Sequence, residues 1–451
     1  MTEAASAWSA PHRDDRAIRR PLRAEADPFF DAPDGLASLS PGTVIRSRQV
    51  RLAFLGLVTQ RGLDAWQLAY RSTDLDDAPE VAVTTVVVPH SQDPAGPQRL
   101  VAYQCAIDAV SDRCFPSYAL RLGARAWGAL PQLELMLIGG LLDRGFVVTM
   151  SDHEGRHGYF AAPREPGYRV LDGIRAAMAF PPLGLGPTTP VGLFGYSGGG
   201  MASAWAVEMA PHYAAELPLV GAVLGSPVGD PAEAFIKLNG GLNAGLPALV
   251  VSGLRHAYPG LAETLRRHAT AAGIRRLEAL QQMTTVGAVV RYAFDDFDDF
   301  LESPLADVLA EPEVLAVFDD LRLGVETPQC PLLVVQATHD QIIDVRDIDT
   351  LVATYVEGGA RVSYLRDRLS GHITLMVLAM PAMLGWLEDR FAGVEEPTTH
   401  TRRVTSPALS PRSWPGYARM LRAATRVIFG RAGQSSHHDD PAGPASPGGR
   451  S

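Results

Sequence analysis

The chain has 451 residues, of which 46% are hydrophobic, and its 50 acidic and 40 basic side chains give a formal net charge of −10. This length and apolar content support a large core, either in one domain with an insertion or in two domains. The acidic balance argues against a nucleic-acid partner. Three cysteines are too few for a disulfide scaffold. The most apolar run, residues 373–387, contains Pro381 and is too short for a membrane span.

The composition of both ends of the chain predicts disorder. Arg and Asp recur through residues 1–26 without an apolar run, so we expect a disordered arm and no secretory signal, which favours a cytoplasmic location. Residues 394–451 are rich in Pro, Ser, Arg and Gly, which predicts a disordered tail. Within that tail, residues 414–429 mix apolar side chains with arginines. Two interpretations of this segment stay open: a helix that packs on the body of the protein, and a helix that lies on a membrane surface.

From residue 27 the chain first predicts short strands and then strands that alternate with helices. The predicted strands are 43–47, 65–70, 81–88, 100–104, 146–150, 191–194 and 219–224, and the predicted helices are 132–144 and 170–179. Strands that follow one another directly indicate an antiparallel beginning to a sheet. The later alternation is typical of a mostly parallel sheet with helices on both faces, which binds ligands at the carboxyl ends of its strands. The fold class is therefore α/β.

The alternation stops between residues 228 and 323, where the pattern is mainly helical. The predicted helices are 233–238, 244–256, 260–271 and 275–283. Because this insertion is too long for a loop, it predicts a helical cap between two core strands. An ordinary second domain is the alternative. The sheet resumes at 331–337 and 361–365 and is followed by a helix over 373–391, so the core comprises residues 27–227 and 324–393.

The sequence GYSGG lies where the apolar strand 191–194 ends and a helix-forming run begins. A serine at such a sharp turn points outward on a strained backbone, and its neighbours must be almost free of side chains. Gly195, Tyr196, Gly198 and Gly199 around Ser197 fit this nucleophile elbow. A dinucleotide-binding loop is disfavoured, because the glycine that it requires three residues after Gly200 is replaced by serine.

A serine nucleophile needs a base and an oriented carboxylate, and in this class of fold the chain order is Ser, acid, His. His372 is the one histidine placed in a loop between a late core strand and a helix. Asp340 directly follows the strand 331–337 and is the predicted acid, with Asp344 as the alternative further along the same loop. Either aspartate also fits the simpler role of a helix cap.

The same chemistry needs two backbone N–H groups that donate hydrogen bonds to the oxyanion that forms on the substrate. The backbone N–H of Gly198, the residue after the nucleophile, is the first predicted donor. The second should come from the loop after strand 100–104, where Asp108 is the candidate. From the residues alone, an aspartate that only stabilises a turn is an equally good interpretation of Asp108.

A literal H-E-x-x-H motif occupies residues 153–157. It binds zinc only when both histidines share one face of a helix. Here the motif directly follows a predicted strand and contains Gly155, so it is interpreted as a loop at the end of a strand. No metal site is predicted.

Several of these segments together resemble the secretory lipase family, a group of α/β-hydrolases that includes the yeast A-type lipase. The resemblance covers residues 27 to about 393 and rests on PFFDAPDGL, PGTVIRSR, YRSTD, TTVVVP, AYQ followed by Asp108, CFPSY, SDHEG, LDGIRAA, GYSGGG and NGGLNAG, in this order. It implies an α/β-hydrolase fold with an inserted lid over residues 228–323. It also implies Ser197, Asp340 and His372 as the catalytic triad, and Asp108 and Gly198 as the oxyanion hole.

The resemblance further implies hydrolysis of triacylglycerols and other carboxylic esters, as in lipid catabolism, without a cofactor. The expected partner is a lipid or ester substrate, with contact to a membrane or lipid interface as a further possibility. Family members usually carry a signal peptide, whereas this sequence begins with a charged arm. Three other functions stay open: hydrolysis of short-chain esters, acyl transfer to an alcohol, and binding of lipids by a catalytically silent protein of the same fold.

Overall fold

An eleven-stranded mixed sheet forms the centre of the protein in a computed structural model that describes residues 12–92, 96, 98–395 and 399–434. The strands are β1 His12–Asp14, β2 Val44–Val50, β3 Ala53–Phe54, β4 Val58–Thr59, β5 Leu63–Thr73, β6 Pro79–Pro89, β7 Leu100–Gln104, β8 Val147–Ser151, β9 Val191–Tyr196, β10 Leu219–Gly225, β11 Leu332–Ala337, β12 Val362–Asp367 and β13 His400–Val404. Their order in the main sheet is β1-β2-β5-β6-β8-β7-β9-β10-β11-β12-β13, and β3 and β4 form a separate hairpin.

The sheet has an antiparallel part and a parallel part, as the sequence predicts. β2, β5, β6 and β8 pair antiparallel. From β8 through β7, β9, β10, β11 and β12 to β13 all neighbours are parallel. β7 lies between β8 and β9 although it precedes both in the chain, so the strand order reverses there. Ligands of parallel sheets bind at such a reversal, beside the carboxyl ends of the strands.

Helices cover both faces of the sheet. They are α1 Pro116–Ala119, α2 Leu130–Leu142, α3 Glu165–Ala179, α4 Gly198–Tyr213, α5 Pro231–Leu238, α6 Gly245–Ala257, α7 Pro259–His268, α8 Ala271–Leu280, α9 Thr285–Arg291, α10 Leu305–Leu309, α11 Pro312–Leu321, α12 Val345–Glu357, α13 His372–Phe391 and α14 Trp414–Ile428. α3, α4 and α12 contribute to the apolar core on one face, and α2, α13 and α14 to the core on the other. This arrangement is the α/β-hydrolase fold.

Helices α5 to α11 occupy the chain between β10 and β11, where the sequence predicts an inserted cap. Their inward residues, among them Leu249, Leu265 and Leu321, belong to the same apolar core as α3 and α4. The insertion therefore packs against one face of the core instead of forming a core of its own. Within the described residues, no helix is long and apolar enough to cross a membrane.

The predicted disorder of residues 1–26 is wrong for the part that the structure describes. β1 pairs parallel with β2 at the edge of the sheet. Asp15 is buried, with its Oδ2 atom 3.5 Å from Nη1 of Arg48, and the same nitrogen lies 2.6 Å from Oδ2 of Asp27. Asp15 of the predicted arm is thus paired with Arg48 of β2 in the interior. Residues 1–11 lie outside the described residues.

The predicted disorder of residues 394–451 is also wrong for the part that is described. β13 pairs with β12, and α14 packs against α2. Met420, Ala423 and Val427 of α14 are buried, and Oδ2 of Asp143 lies 2.7 Å from Nε of Arg419. Of the two interpretations of residues 414–429, the structure shows the helix that packs on the body. Residues 396–398 and 435–451 lie outside the described residues.

The packing of α14 predicts that neighbouring residues differ in their effect on stability. Met420→Ala should lower the free energy of unfolding by at least about 2 kcal/mol, because it removes a buried side chain from the α2–α14 contact. Leu421→Ala is the matched control, since Leu421 is 70% exposed, and should change it by less than about 0.5 kcal/mol. Urea denaturation measures both. Equal, small effects would contradict the packed arrangement of α14.

Candidate active site

Ser197 lies at a sharp turn between β9, which ends at Tyr196, and α4, which begins at Gly198. Its backbone has φ 56° and ψ −124°, a conformation that costs a residue with a side chain on the order of 1–3 kcal/mol. A Cβ atom on Gly195 would lie 1.9 Å from the carbonyl oxygen of Gly199, and one on Gly199 would lie 2.0 Å from that of Gln104. The glycines predicted for the elbow are therefore required by close backbone contacts.

The loops after β11 and β12 bring an aspartate and a histidine to this serine. Nε2 of His372 lies 2.9 Å from Oγ of Ser197, and Nδ1 of His372 lies 2.7 Å from Oδ2 of Asp340. Both His372 and Asp340 are almost completely buried. The three side chains predicted from their order in the sequence thus form one hydrogen-bonded series at the carboxyl edge of the sheet.

Asp340 is held as a carboxylate. Its Oδ1 atom accepts hydrogen bonds from the backbone N–H groups of Ile342 and Ile343, at 2.8 and 2.9 Å. Burial acts to raise the pKa of Asp340, but the hydrogen bond and charge of His372, together with these N–H groups, hold it below its ordinary value. Asp344, the alternative acid, caps α12 by accepting from the N–H of Arg346 at 2.9 Å.

Three further side chains hold His372 in place. The hydroxyl of Tyr196 donates to the carbonyl oxygen of His372 at 2.6 Å, and the hydroxyl of Ser226 donates to Tyr196 at 3.0 Å. The backbone N–H of His372 donates to Oε1 of Gln341 at 3.1 Å. The sequence predicts Tyr196 as part of the elbow, whereas Ser226 and Gln341 belong to no recognisable motif and are found only in the structure.

The structure shows which group of Asp108 lies beside the elbow. Its backbone N–H, predicted as an oxyanion donor, already donates to Oε1 of Glu154 at 2.9 Å, in a loop where Asp108 has φ 46°. Its side chain faces the elbow instead, since a Cβ on Gly198 would lie 1.9 Å from Oδ1 of Asp108. This oxygen is buried and has no hydrogen-bond partner among the described residues. Burial raises the pKa of Asp108 to about 7, so the carboxyl is protonated in weakly acidic solution.

Gly198 opens the first turn of α4. The N–H groups in the first turn of a helix have no partner within the helix and carry the positive end of its dipole. The N–H of Gly198 therefore suits its predicted role beside the nucleophile.

Residues 153–158 of the H-E-x-x-H segment form turns, so the interpretation as a loop is confirmed. His153 is buried, and its Nε2 lies 2.8 Å from the carbonyl oxygen of Cys105. Burial lowers its pKa to about 4, which keeps the ring neutral. Glu154 supports the loop of Asp108. Among the described residues, no group of three His, Cys, Asp or Glu side chains could hold a metal ion.

An apolar cavity opens onto Ser197. Helices α5 and α6 of the cap form one side of it, and the loop after Asp340 forms another. Its apolar lining includes Phe160, Met201, Phe235, Leu238, Val250, Phe318, Ile342 and Ile343. Among the residues that the structure describes, Asp108 is the one carboxyl group that reaches this cavity, and it does so beside the elbow. This apolar lining suits an acyl chain whose carbonyl carbon lies at the serine.

The strand order, the elbow and the Ser–His–Asp series define an α/β-hydrolase. The sequence model of the secretory lipase family matches residues 120–399, and the chain belongs to this family. The chain is 52% identical to a protein of Mycobacterium tuberculosis (strain CDC 1551 / Oshkosh) named "Probable inactive lipase MT1628", over 93% of this chain and 94% of that one. It is 35% identical to the secreted triacylglycerol lipase LIP4 of Malassezia globosa, over 87% and 86%.

A solved structure agrees with this assignment. The crystal structure of Candida antarctica lipase A matches with a TM-score of 0.80 at 26% identity, over 91% of this chain and 98% of that one. The family description and the name of the Malassezia relative both denote secreted proteins. They conflict with the cytoplasmic location that the charged N-terminal sequence favours.

The buried acids around the site predict how stability depends on pH. Burial raises the pKa values of Asp108 and Asp152 to about 7 and that of Glu134 to about 8, whereas unfolded carboxyl groups titrate near 4. The folded state therefore binds more protons than the unfolded state between these values. Stability should be greatest at low pH in this range and fall as the pH rises from about 4 to about 8. Thermal unfolding between pH 5 and pH 8 should show a falling Tm.

Asp152→Asn is the control for this prediction. An asparagine can still accept from the N–H of Ser117 and donate to its hydroxyl, the two groups that now bond Asp152. The variant should fold and lose less Tm between pH 5 and pH 8 than the wild type. A Tm that rises with pH in the wild type would contradict the raised pKa values.

Proposed function

We propose that this protein is a serine-dependent lipase that hydrolyses triacylglycerols and related carboxylic esters through an acyl-enzyme. The observation that carries the proposal is the series Ser197, His372 and Asp340, with hydrogen-bond distances of 2.9 and 2.7 Å, beside an apolar cavity. Membership of the secretory lipase family supports the same reaction class.

In this proposal Oγ of Ser197 attacks the carbonyl carbon of the ester while Nε2 of His372 takes its proton. Asp340 holds the ring with Nδ1–H directed at its carboxylate and stabilises the imidazolium. The tetrahedral intermediate collapses by breaking the bond to the alcohol oxygen, which receives the proton from Nε2. Water then attacks the acyl-enzyme as His372 takes one of its protons. The fatty acid leaves, and Ser197 regains its proton.

Two donors stabilise the oxyanion in this proposal. One is the N–H of Gly198, at the positive end of α4. The other is the side chain of Asp108 in its protonated form, because its backbone N–H is bonded to Glu154. The unpaired, buried Oδ1 beside Gly198 and the raised pKa support this role. A neutral carboxyl donates a hydrogen bond, whereas a carboxylate would repel the oxyanion.

The lining of the cavity supports a long acyl chain as substrate. Residues of the cap and of the core enclose it together, and most of them are Phe, Leu, Ile, Val or Met. Burial of methylene groups contributes about 0.8 kcal/mol each. Affinity for the acyl group should therefore rise with chain length until the cavity is filled.

The test is hydrolysis of p-nitrophenyl esters with acyl chains from acetate to palmitate. The kcat/KM of the wild type should rise from acetate towards the longer chains because more apolar surface is buried. Ser197→Ala should lose at least about 10⁴-fold in kcat, as expected for removal of a nucleophile. Ser203→Ala, a buried serine further along α4, is the control and should retain activity. Far faster turnover of acetate esters would instead favour a short-chain esterase.

A catalytically silent lipid-binding protein is the second candidate, because the 52% identical relative is named a probable inactive lipase. A fluorophosphonate probe distinguishes the two. Labelling of the wild type and of Ser203→Ala, but not of Ser197→Ala, would establish a reactive elbow serine. A folded wild type that is not labelled would favour the silent protein. Ester formation with added glycerol would identify acyl transfer.

The role of Asp108 predicts a particular pH profile. Because the pKa of Asp108 is about 7, the proposed donor is lost as the pH rises through 7, and kcat/KM for a soluble short ester should fall there. Asp108→Asn keeps an N–H donor at every pH, so this fall should disappear. Asp108→Ala removes the donor and should lower kcat about 10²-fold or more. An unchanged fall near pH 7 in Asp108→Asn would show that another group titrates.

A further inference from the structure

Helix α5 of the cap has two different surroundings. Phe235 and Leu238 are buried and line the apolar cavity that opens onto Ser197. Because they are three residues apart, they share one side of the helix, and Lys237 is turned away from both. Lys237 lines a polar groove beside the helix. The lining of this groove also includes the carboxyl groups of Asp230, Glu233, Asp344 and Asp347. Helix α5 therefore contacts the cavity and the groove at the same time.

The ammonium group of Lys237 joins α5 to the loop that follows β11. Its Nζ atom donates a hydrogen bond to the carbonyl oxygen of Asp340 at 2.8 Å. Among the described residues, this is the one hydrogen bond between α5 and residues 338–344 of that loop. A hydrogen bond with a charged donor is stronger than one between neutral groups. The cap is thus bonded directly to the residue that orients His372.

The loop after β11 also has two functions. The backbone N–H groups of Ile342 and Ile343 donate to Oδ1 of Asp340, at 2.8 and 2.9 Å, and so hold its carboxylate. The same two isoleucines line the apolar cavity. An acyl chain in this cavity would therefore contact the residues whose backbone fixes the acid of the triad.

The wall of the cavity and the support of Asp340 thus consist of the same two elements, α5 and the loop after β11. The bond between them, from Lys237 to Asp340, lies at a partly exposed position, so its strength depends on how closely α5 lies on the loop. A ligand shifts a protein towards the arrangement that it binds better. An acyl chain that packs against both elements would therefore favour the arrangement in which this bond is made.

We propose that Lys237 is a positioning residue that transmits occupancy of the acyl cavity to the acid of the triad. A long acyl chain holds α5 against the loop after β11 and thereby keeps Asp340 in the orientation that bonds Nδ1 of His372. A short acyl group covers little of the cavity wall and leaves this orientation less well fixed. The inference rests on the proposed ester hydrolysis and assigns the residue through which turnover depends on acyl length.

This role makes kcat, and not only KM, depend on the length of the acyl chain. Binding energy from parts of a substrate remote from the reacting bond raises kcat when it orients groups that act in the transition state. A cavity that only bound the chain would stabilise the ground state and the transition state equally. It would then lower KM for longer chains and leave kcat unchanged. The ratio of the kcat values for a long and a short ester therefore distinguishes the two cases.

The test compares the wild type with Lys237→Met on p-nitrophenyl acetate and octanoate, each below the concentration at which it forms micelles. Methionine has a similar length but cannot donate the hydrogen bond. The ratio of kcat for octanoate to kcat for acetate should fall at least about threefold in Lys237→Met, with little change in KM. Lys237→Arg keeps a charged donor and should retain most of the ratio. Glu233→Gln, an exposed change on the same helix, is the matched control and should behave like the wild type. An unchanged ratio, or an equal loss on both esters, would overturn the proposal.

Hydrogen exchange tests the same proposal without turnover. The N–H groups of Ile342 and Ile343 report how well the carboxylate of Asp340 is held, because they donate to it. Methyl octyl ketone, which has no ester bond to hydrolyse, should slow their exchange at least about threefold in the wild type, whereas acetone should not. Most of this slowing should be lost in Lys237→Met and kept in Glu233→Gln.

Two results of the exchange experiment would contradict the role of Lys237: no slowing in the wild type, and equal slowing in the wild type and Lys237→Met. A different result would separate this role from the proposed hydrolysis. If the ketone slows exchange in the wild type and not in Lys237→Met, but the wild type neither hydrolyses esters nor takes the fluorophosphonate label, the link between cavity and acid stands and the proposed hydrolysis fails.

Discussion

The arrangement of the site depends on one steric constraint, the close approach of three backbone segments at the end of β9. Gly199 at the start of α4 lies against the carbonyl oxygen of Gln104 at the end of β7, and Gly195 lies against Gly199 itself. Any Cβ atom there would separate α4 from the sheet. Because these contacts are backbone to backbone, they hold Ser197 in a strained conformation and fix the loop of Asp108 beside it. The strain is offset by the packing of α4 in the core.

Beneath the site, buried carboxyl groups bond the backbone of the loop that follows β7. Glu134 accepts from the N–H of Ala106, Glu154 from that of Asp108, and Asp152 from that of Ser117. Burial raises the pKa of each of these acids. Acids in their neutral form orient the loop without placing several negative charges next to the position where an oxyanion would form.

The cap and the core meet at the same place. Helix α5 and the loop after Asp340 both line the cavity, and Nζ of Lys237, the single lysine of the chain, donates to the carbonyl oxygen of Asp340 at 2.8 Å. The insertion therefore also supports the candidate active site, because α5 donates a hydrogen bond to the backbone of Asp340, the residue that is bonded to His372. The cavity lies where the inserted helices pack against the core.

The sequence alone determined the features that depend on neighbours along the chain. The alternation of strand and helix patterns predicted the sheet, and its interruption predicted the helical insertion. The glycines around Ser197, together with the chain order Ser, Asp, His, predicted that Ser197, Asp340 and His372 meet. Only the tertiary structure decided the rest. From the sequence, Asp15 and Arg419 are expected to be exposed to solvent. In the structure Asp15 pairs with Arg48, and Arg419 pairs with Asp143, which is far away in the chain. Asp108 presents its side chain because Glu154 takes its N–H. Such partners are chosen by three-dimensional proximity, which no local pattern of residues records.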